Sequence, residues 1–261
     1  MRLQLHEWGD PRAQPLVCLH GITGHGRHFR RLAEERLAHR FRVLAPDLRG
    51  HGASGQEPPW DIETHLGDVR ETLEEAGVEH AVWIGHSFGG RLVMELAACD
   101  REPIERAVLL DPSIQILPHV GLDMAEESRG DRSYASLDEA IDARFVESRL
   151  TRAPRELLEE ELPEHLARSS DGRLRYRYCA SAVIVAYNEL TREPPPFERL
   201  RLPTLLLIGN DSWLVLDDQL ERYRAALGDL LEVATVPGGH TVLWEAFAKT
   251  ADAVEAFLAR S

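Results

Sequence analysis

The chain has 261 residues, 43% of them hydrophobic, and a formal net charge of −14. That length and composition suit one large folded domain with a substantial core and exclude a disordered chain. The acidic balance argues against a nucleic-acid partner, which needs cations to displace phosphate counterions, and against an anionic membrane surface.

The chain opens Met1-Arg2-Leu3-Gln4-Leu5-His6-Glu7-Trp8, the alternation of a half-buried strand. It has neither the apolar block nor the cleavage site of a signal peptide, which predicts a cytoplasmic protein. No apolar run reaches the roughly 18 residues of a membrane span. Pro15–His20 predicts a buried strand ended by Gly21, and Phe41–Ala45 another, stopped by Pro46. Asp61 is placed to cap a helix with Ile62, Leu66, Val69, Leu73 and Ala76 on one face, and Gly77 is placed to end it. A strand over Ala81–Ile84 leads through Gly85 into a helix from about Phe88 to Cys99. Ala107–Leu110 predicts a strand ending at Asp111, Thr204–Ile208 one ending at Gly209, and Leu231–Val236 the last. A helix over Leu243–Leu258 closes the chain.

Apolar strands alternating with helices predict an α/β fold, a mostly parallel central sheet flanked by helices. Residues 112–198 break the rhythm. They carry helical patterns at about 137–150, 154–169 and 178–190, end at Pro194-Pro195-Pro196, and predict a helical lid inserted into a core of 1–111 and 199–261. Cys18, Cys99 and Cys179 have no metal or redox spacing, so reduced thiols are expected.

Gly85-His86-Ser87-Phe88-Gly89 is a G-x-S-x-G sequence set between a strand and a helix, the context of a nucleophile elbow. The turn must be tight to project the serine hydroxyl, and glycines on either side let strand and helix approach. With His20-Gly21-Ile22-Thr23-Gly24 and Asp47-Leu48-Arg49-Gly50-His51-Gly52-Ala53-Ser54, this motif makes the chain resemble the α/β-hydrolase superfamily, in its lidded serine esterase, lactonase and C–C hydrolase branch. The likeness runs nearly end to end and is weakest over 112–198.

The resemblance implies a triad in the order serine, acid, histidine. Ser87 is the expected nucleophile and His240, in Val236-Pro237-Gly238-Gly239-His240, its base. The acid is expected at Asp211, just past the strand ending at Gly209, with Asp111 as the alternative. Many relatives carry this carboxylate one residue later, where this chain has Ser212. Backbone N–H groups of Ile22 and Phe88 are the expected oxyanion donors. Trp213 and Tyr187 are candidate pocket aromatics. Arg173, Arg175 and Arg177 alternate and suggest a solvated face before a substrate anchor.

No metal is expected, because the histidines lack ligand spacing, and His20 is assigned to supporting the oxyanion loop. The glycine-rich loop Asp47–Ser54 lacks a P-loop ending, so its expected role is structural, with Arg49 in an ion pair. A serine at the elbow, where epoxide-opening relatives have aspartate, selects acyl chemistry. The expected function is hydrolysis of a small carboxylic ester, lactone or thioester. The alternatives are C–C bond cleavage in a diketone-type ring-cleavage product and a non-catalytic small-molecule-binding protein. No cofactor is expected, the partner is a small-molecule substrate, and assembly into a homo-oligomer stays open.

Overall fold

The computed structural model describes residues 1–99 and 104–260, so Asp100–Pro103 and Ser261, which fall within the expected core ranges, lie outside the described residues. In chain order the elements are β1 (Leu5–Trp8), β2 (Gln14–Leu19), α1 (Arg30–Leu32), β3 (Phe41–Pro46), α2 (Ile62–Glu75), β4 (Ala81–His86), α3 (Phe88–Ala97) and β5 (Ile104–Leu110). There follow α4 (Pro118–Glu127), β6 (Ser133–Tyr134), α5 (Leu137–Glu147), α6 (Arg155–His165), β7 (Leu166–Arg168), β8 (Leu174–Tyr176) and α7 (Ala180–Glu189). The chain closes with β9 (Thr204–Gly209), α8 (Asp217–Leu227), β10 (Leu231–Val236), α9 (Val242–Glu245) and α10 (Phe247–Leu258).

Seven strands form the central sheet in the order β1-β3-β2-β4-β5-β9-β10. Every pairing is parallel except β1 on β3. Successive residues of a strand serve opposite faces: Val17 and Leu19 join one buried cluster, Leu16 and Cys18 the other. Both faces are covered, the first by α2, α3 and α7 and the second by α10, which is why these strands read as unbroken apolar runs. The Asp61 carboxylate caps α2 by accepting the Thr64 N–H at 2.7 Å, and Gly77 follows at φ +71°.

Register places the site. His86 pairs with Leu110, Leu110 with Leu207, and Val236 with Gly209. The carboxyl ends of β4, β5, β9 and β10 therefore stand side by side, and the loops after them meet over one edge.

The chain between β5 and β9 differs in detail from its sequence pattern. Helices α5, α6 and α7 fall within the three expected windows. The helix α4 and the three-stranded antiparallel sheet β6-β8-β7 are additions. Strands of two or three residues are too short to print an alternation. This insert has its own cluster, built from Tyr134, Ile141, Leu158, Leu162 and Tyr176 and closed by Trp244. Helix α7 behaves otherwise: its Ala186, and Leu190 just after it, join the main core. The closing helical pattern breaks at Ala246, whose φ of −142° and ψ of 40° are not helical, giving α9 and α10. Among the described residues no helix is long and apolar enough to cross a membrane.

Candidate active site

Ser87 stands between β4 and α3 at φ 57° and ψ −120°. Strain of this kind persists only where the surroundings enforce it. A Cβ on Gly85 would lie 2.4 Å from the Gly89 carbonyl oxygen, and one on Gly89 would lie 2.0 Å from that of Leu19. Neither position accepts a side chain, so the turn stays tight. The loop after β2 closes on the serine from above, where a Cβ on Gly21 would meet the Ser87 Cβ at 2.7 Å. The Ser87 hydroxyl is paired with Ser113 Oγ at 3.2 Å.

The carboxylate that faces His240 belongs to Asp111. Its Oδ2 accepts the His240 Nδ1–H at 2.6 Å and the Ser212 hydroxyl at 2.6 Å, while Oδ1 accepts the Gly209 N–H at 3.0 Å. Asp111 is fully buried, so all three donors bear on its charge. A proton on Nδ1 leaves His240 Nε2 free to act as a base. The expected acid, Asp211, is not in contact with His240. Its side chain is 60% exposed and lies 3.9 Å from Arg152. The loop explains the correction: the Ser212 N–H returns to the Gly209 carbonyl at 3.0 Å, and that turn brings Ser212 inward and Asp211 outward.

The loop expected to hold the oxyanion is fixed from three sides. His20 is buried, donates from Nδ1 to the Gly21 carbonyl at 2.8 Å and accepts the Leu48 N–H on Nε2 at 2.9 Å. The Gly24 N–H closes a turn on the Gly21 carbonyl at 3.0 Å. His165, from the insert, donates to the Thr23 carbonyl at 2.8 Å. Ile22 lines the cavity, and Phe88 opens α3, where backbone N–H groups are free of helical partners. Asp47 anchors the loop from below, accepting from Gly26 and Ala53 N–H groups and from His6. Arg49 binds Asp68 through two hydrogen bonds of 2.6 and 2.7 Å.

Ser87, His240, Ile22, Trp213 and Tyr187 share one cavity of about 620 Å³. Its histidines stack in pairs, His86 on His240 at 4.7 Å and His25 on His165 at 4.3 Å. His86 donates from Nε2 to the His240 carbonyl at 3.0 Å, and burial pushes its pKa down to about 3, so it is neutral. Glu161 is the converse case. Burial raises its carboxyl to about 7 although the Trp244 indole donates to it at 2.6 Å. Among the described residues no three His, Cys, Asp or Glu side chains form a group able to hold a metal. Arg173 and Arg175 are bound to Ser133 and Asp171, and Arg177 to the Leu166 carbonyl, outside the cavity.

A family model for the α/β hydrolase fold matches residues 14–247. The chain belongs to the α/β-hydrolase family. It is similar to the lipase LipV of Mycobacterium tuberculosis, with 30% identity over 73% of this chain and 72% of that protein. It is also similar to the sn-1-specific diacylglycerol lipase ABHD11 of Mus musculus, with 28% identity over 96% of this chain and 83% of the relative. Among solved structures, E-2-(acetamidomethylene)succinate hydrolase shares the fold at a TM-score of 0.87, with 23% identity over 99% of this chain and 95% of that one.

The contacts of three residues in this α/β hydrolase's site went unread in its sequence. Ser113 pairs with the serine hydroxyl and Ser212 with Asp111. Glu245 accepts the Gly239 N–H at 2.6 Å beside His240, and the N–H groups of Thr151 and Arg152 in the insert at 2.8 and 3.1 Å. The spacing Asp111-Pro112-Ser113 could have drawn attention to Ser113, since the chain must turn sharply there. Nothing local marks Glu245, which reads as one more polar residue in a helix.

Proposed function

We propose that this hydrolase cleaves a small carboxylic ester, lactone or thioester through an acyl-enzyme on Ser87. On substrate binding the Ser87 hydroxyl exchanges its Ser113 partner for His240 Nε2. That nitrogen takes the proton as Oγ attacks the carbonyl carbon. Asp111 holds the imidazole in the required tautomer and stabilises the imidazolium. The N–H groups of Ile22 and Phe88 receive the oxyanion. His240 then protonates the leaving group, and the acyl-enzyme forms. A water that gives its proton to His240 hydrolyses the ester, releasing the acid and restoring Ser87.

The observation that carries this reading is the 2.6 Å bond from His240 to the buried Asp111, at the end of the strand beside the strained Ser87 elbow. Relatives named lipase and esterase support acyl transfer. In this reading the segment 112–198 is a lid that roofs the cavity and selects the acyl group.

A fluorophosphonate probe tests it, because such reagents phosphonylate activated serines. Peptide mapping is expected to place the label on Ser87, and Ser87→Ala to abolish it. Labelling at another residue, or undiminished labelling of the variant, overturns the assignment.

A further inference from the structure

Arg144 projects from α5 and lines the cavity that holds Ser87 and His240. It is 7% exposed. Among the described residues, its guanidinium makes no ion pair. One terminal nitrogen donates a long 3.3 Å bond to Ser148 Oγ, and the buried Nε has no acceptor among the described residues. The guanidinium lies 4.7 Å from the Tyr176 ring centre and 5.6 Å from that of Trp244. The Tyr176 hydroxyl is likewise buried without a partner among the described residues.

Neighbouring acids are committed elsewhere. Glu147 pairs with Arg132 at 3.5 Å and accepts from the Tyr134 hydroxyl, and Glu161 takes the Trp244 indole. A buried ion without a counter-ion carries a large desolvation penalty. Two aromatic faces offset only part of it. The insert thus holds a cation whose neutralisation is left to something that enters the cavity.

We propose that Arg144 receives a carboxylate carried by the substrate, remote from the bond that is cleaved. This rests on the acyl-transfer reading above. One guanidinium matches one negative charge, which favours a monoanionic carboxylate over a phosphate dianion. Remoteness follows from the packing. A row of ring contacts runs from Arg144 to Trp244 (5.6 Å), Trp244 to His28 (5.2 Å), His28 to His86 (5.5 Å) and His86 to His240 (4.7 Å). The charged end therefore lies several side chains from the reacting carbonyl. Asp123 and Glu127, exposed on α4, also line the cavity and repel an anion beside them, whereas Arg144 attracts it.

The test compares matched esters: mono-p-nitrophenyl adipate and pimelate against p-nitrophenyl hexanoate and heptanoate, and 4-acetoxybenzoate against phenyl acetate. In at least one family the anionic ester is expected to have a kcat/KM about ten- to a hundredfold above its neutral partner, the range of a charge-assisted hydrogen bond. Arg144→Met is expected to erase that ratio through KM, and Arg144→Lys to restore part of it. Adipate or benzoate should inhibit the unaltered protein competitively and the Met variant far less. Equal turnover of anionic and neutral esters by the unaltered protein overturns the proposal, as does a ratio unchanged in Arg144→Met. If neither ester type is hydrolysed through Ser87, the acyl-transfer reading fails instead, and the binding of adipate and benzoate with and without Arg144 still judges this site.

Discussion

At Ser87 a φ of 57° with ψ of −120° puts an L-residue where glycine is at ease. Such a conformation stores about 1–3 kcal/mol, held in place by the close approach of Gly85, Gly89 and Gly21. Ser87→Gly relieves that strain and Ser87→Ala does not. The Gly variant is therefore expected to be more stable than the Ala variant by about 1 kcal/mol in urea unfolding, with both inactive. Equal stabilities would mean the elbow is unstrained. The same scale shows what a sequence discloses. Ser87 and His240 were legible as candidates because glycines flank the first and precede the second. Which carboxylate faces His240 was not legible, because two aspartates follow neighbouring strands and only the fold decides which side chain turns inward. Asp111 meets His240 because Leu110 is in register with Leu207, and Ser212 occupies the inward position of the next loop.

Between elements, Glu245 joins parts that the sequence kept separate. Its carboxylate holds the Gly239 N–H next to His240 and two N–H groups of the insert. His165 makes a second tie, from α6 to the Thr23 carbonyl of the loop after β2. Both loops of the site are thus fastened to the insert. Glu245→Ala is expected to lower kcat/KM on an activated ester about tenfold or more and to speed proteolytic cleavage near residues 150–155. Unchanged activity together with unchanged proteolysis would show that the tie does nothing. The long strands and helices of the core were readable from periodicity, since both faces of the sheet are buried. The two- and three-residue strands of the insert were not, because they are specified by contacts with one another and by the cluster that Tyr134 and Tyr176 join with Ile141 and Leu158.

Across the whole molecule, buried neutral histidines set the response to acid. Burial pushes His20 and His25 down to about 4 and His51, His65 and His86 to about 3, against 6.5 when exposed. Below pH 6.5 the unfolded chain takes up protons that the folded chain refuses. Stability present above that pH therefore drains as pH falls towards the folded values, by up to about 1.4 kcal/mol per histidine per pH unit. Glu161 has the opposite sign. Raised from 4.5 to about 7, it favours the folded state as pH falls through that window. One group does not offset five, so the urea midpoint is expected to drop steeply between pH 6.5 and 5. A flat profile there would mean the histidines are not buried as described. The net charge of −14 shapes partners rather than fold, and an arginine buried without a counter-ion inside so acidic a chain is legible only once the cavity is assembled.

The proposed action of Ser87 through His240 held by Asp111 is decided by comparing Asp111→Asn with Asp211→Asn on an activated ester such as p-nitrophenyl acetate. Asp111→Asn is expected to lower kcat by about 10³–10⁴-fold, since the amide permits the wrong imidazole tautomer. Asp211→Asn should stay within about twofold of the unaltered protein. A large loss in Asp211→Asn with little change in Asp111→Asn would contradict the assignment and return the acid to the exposed loop.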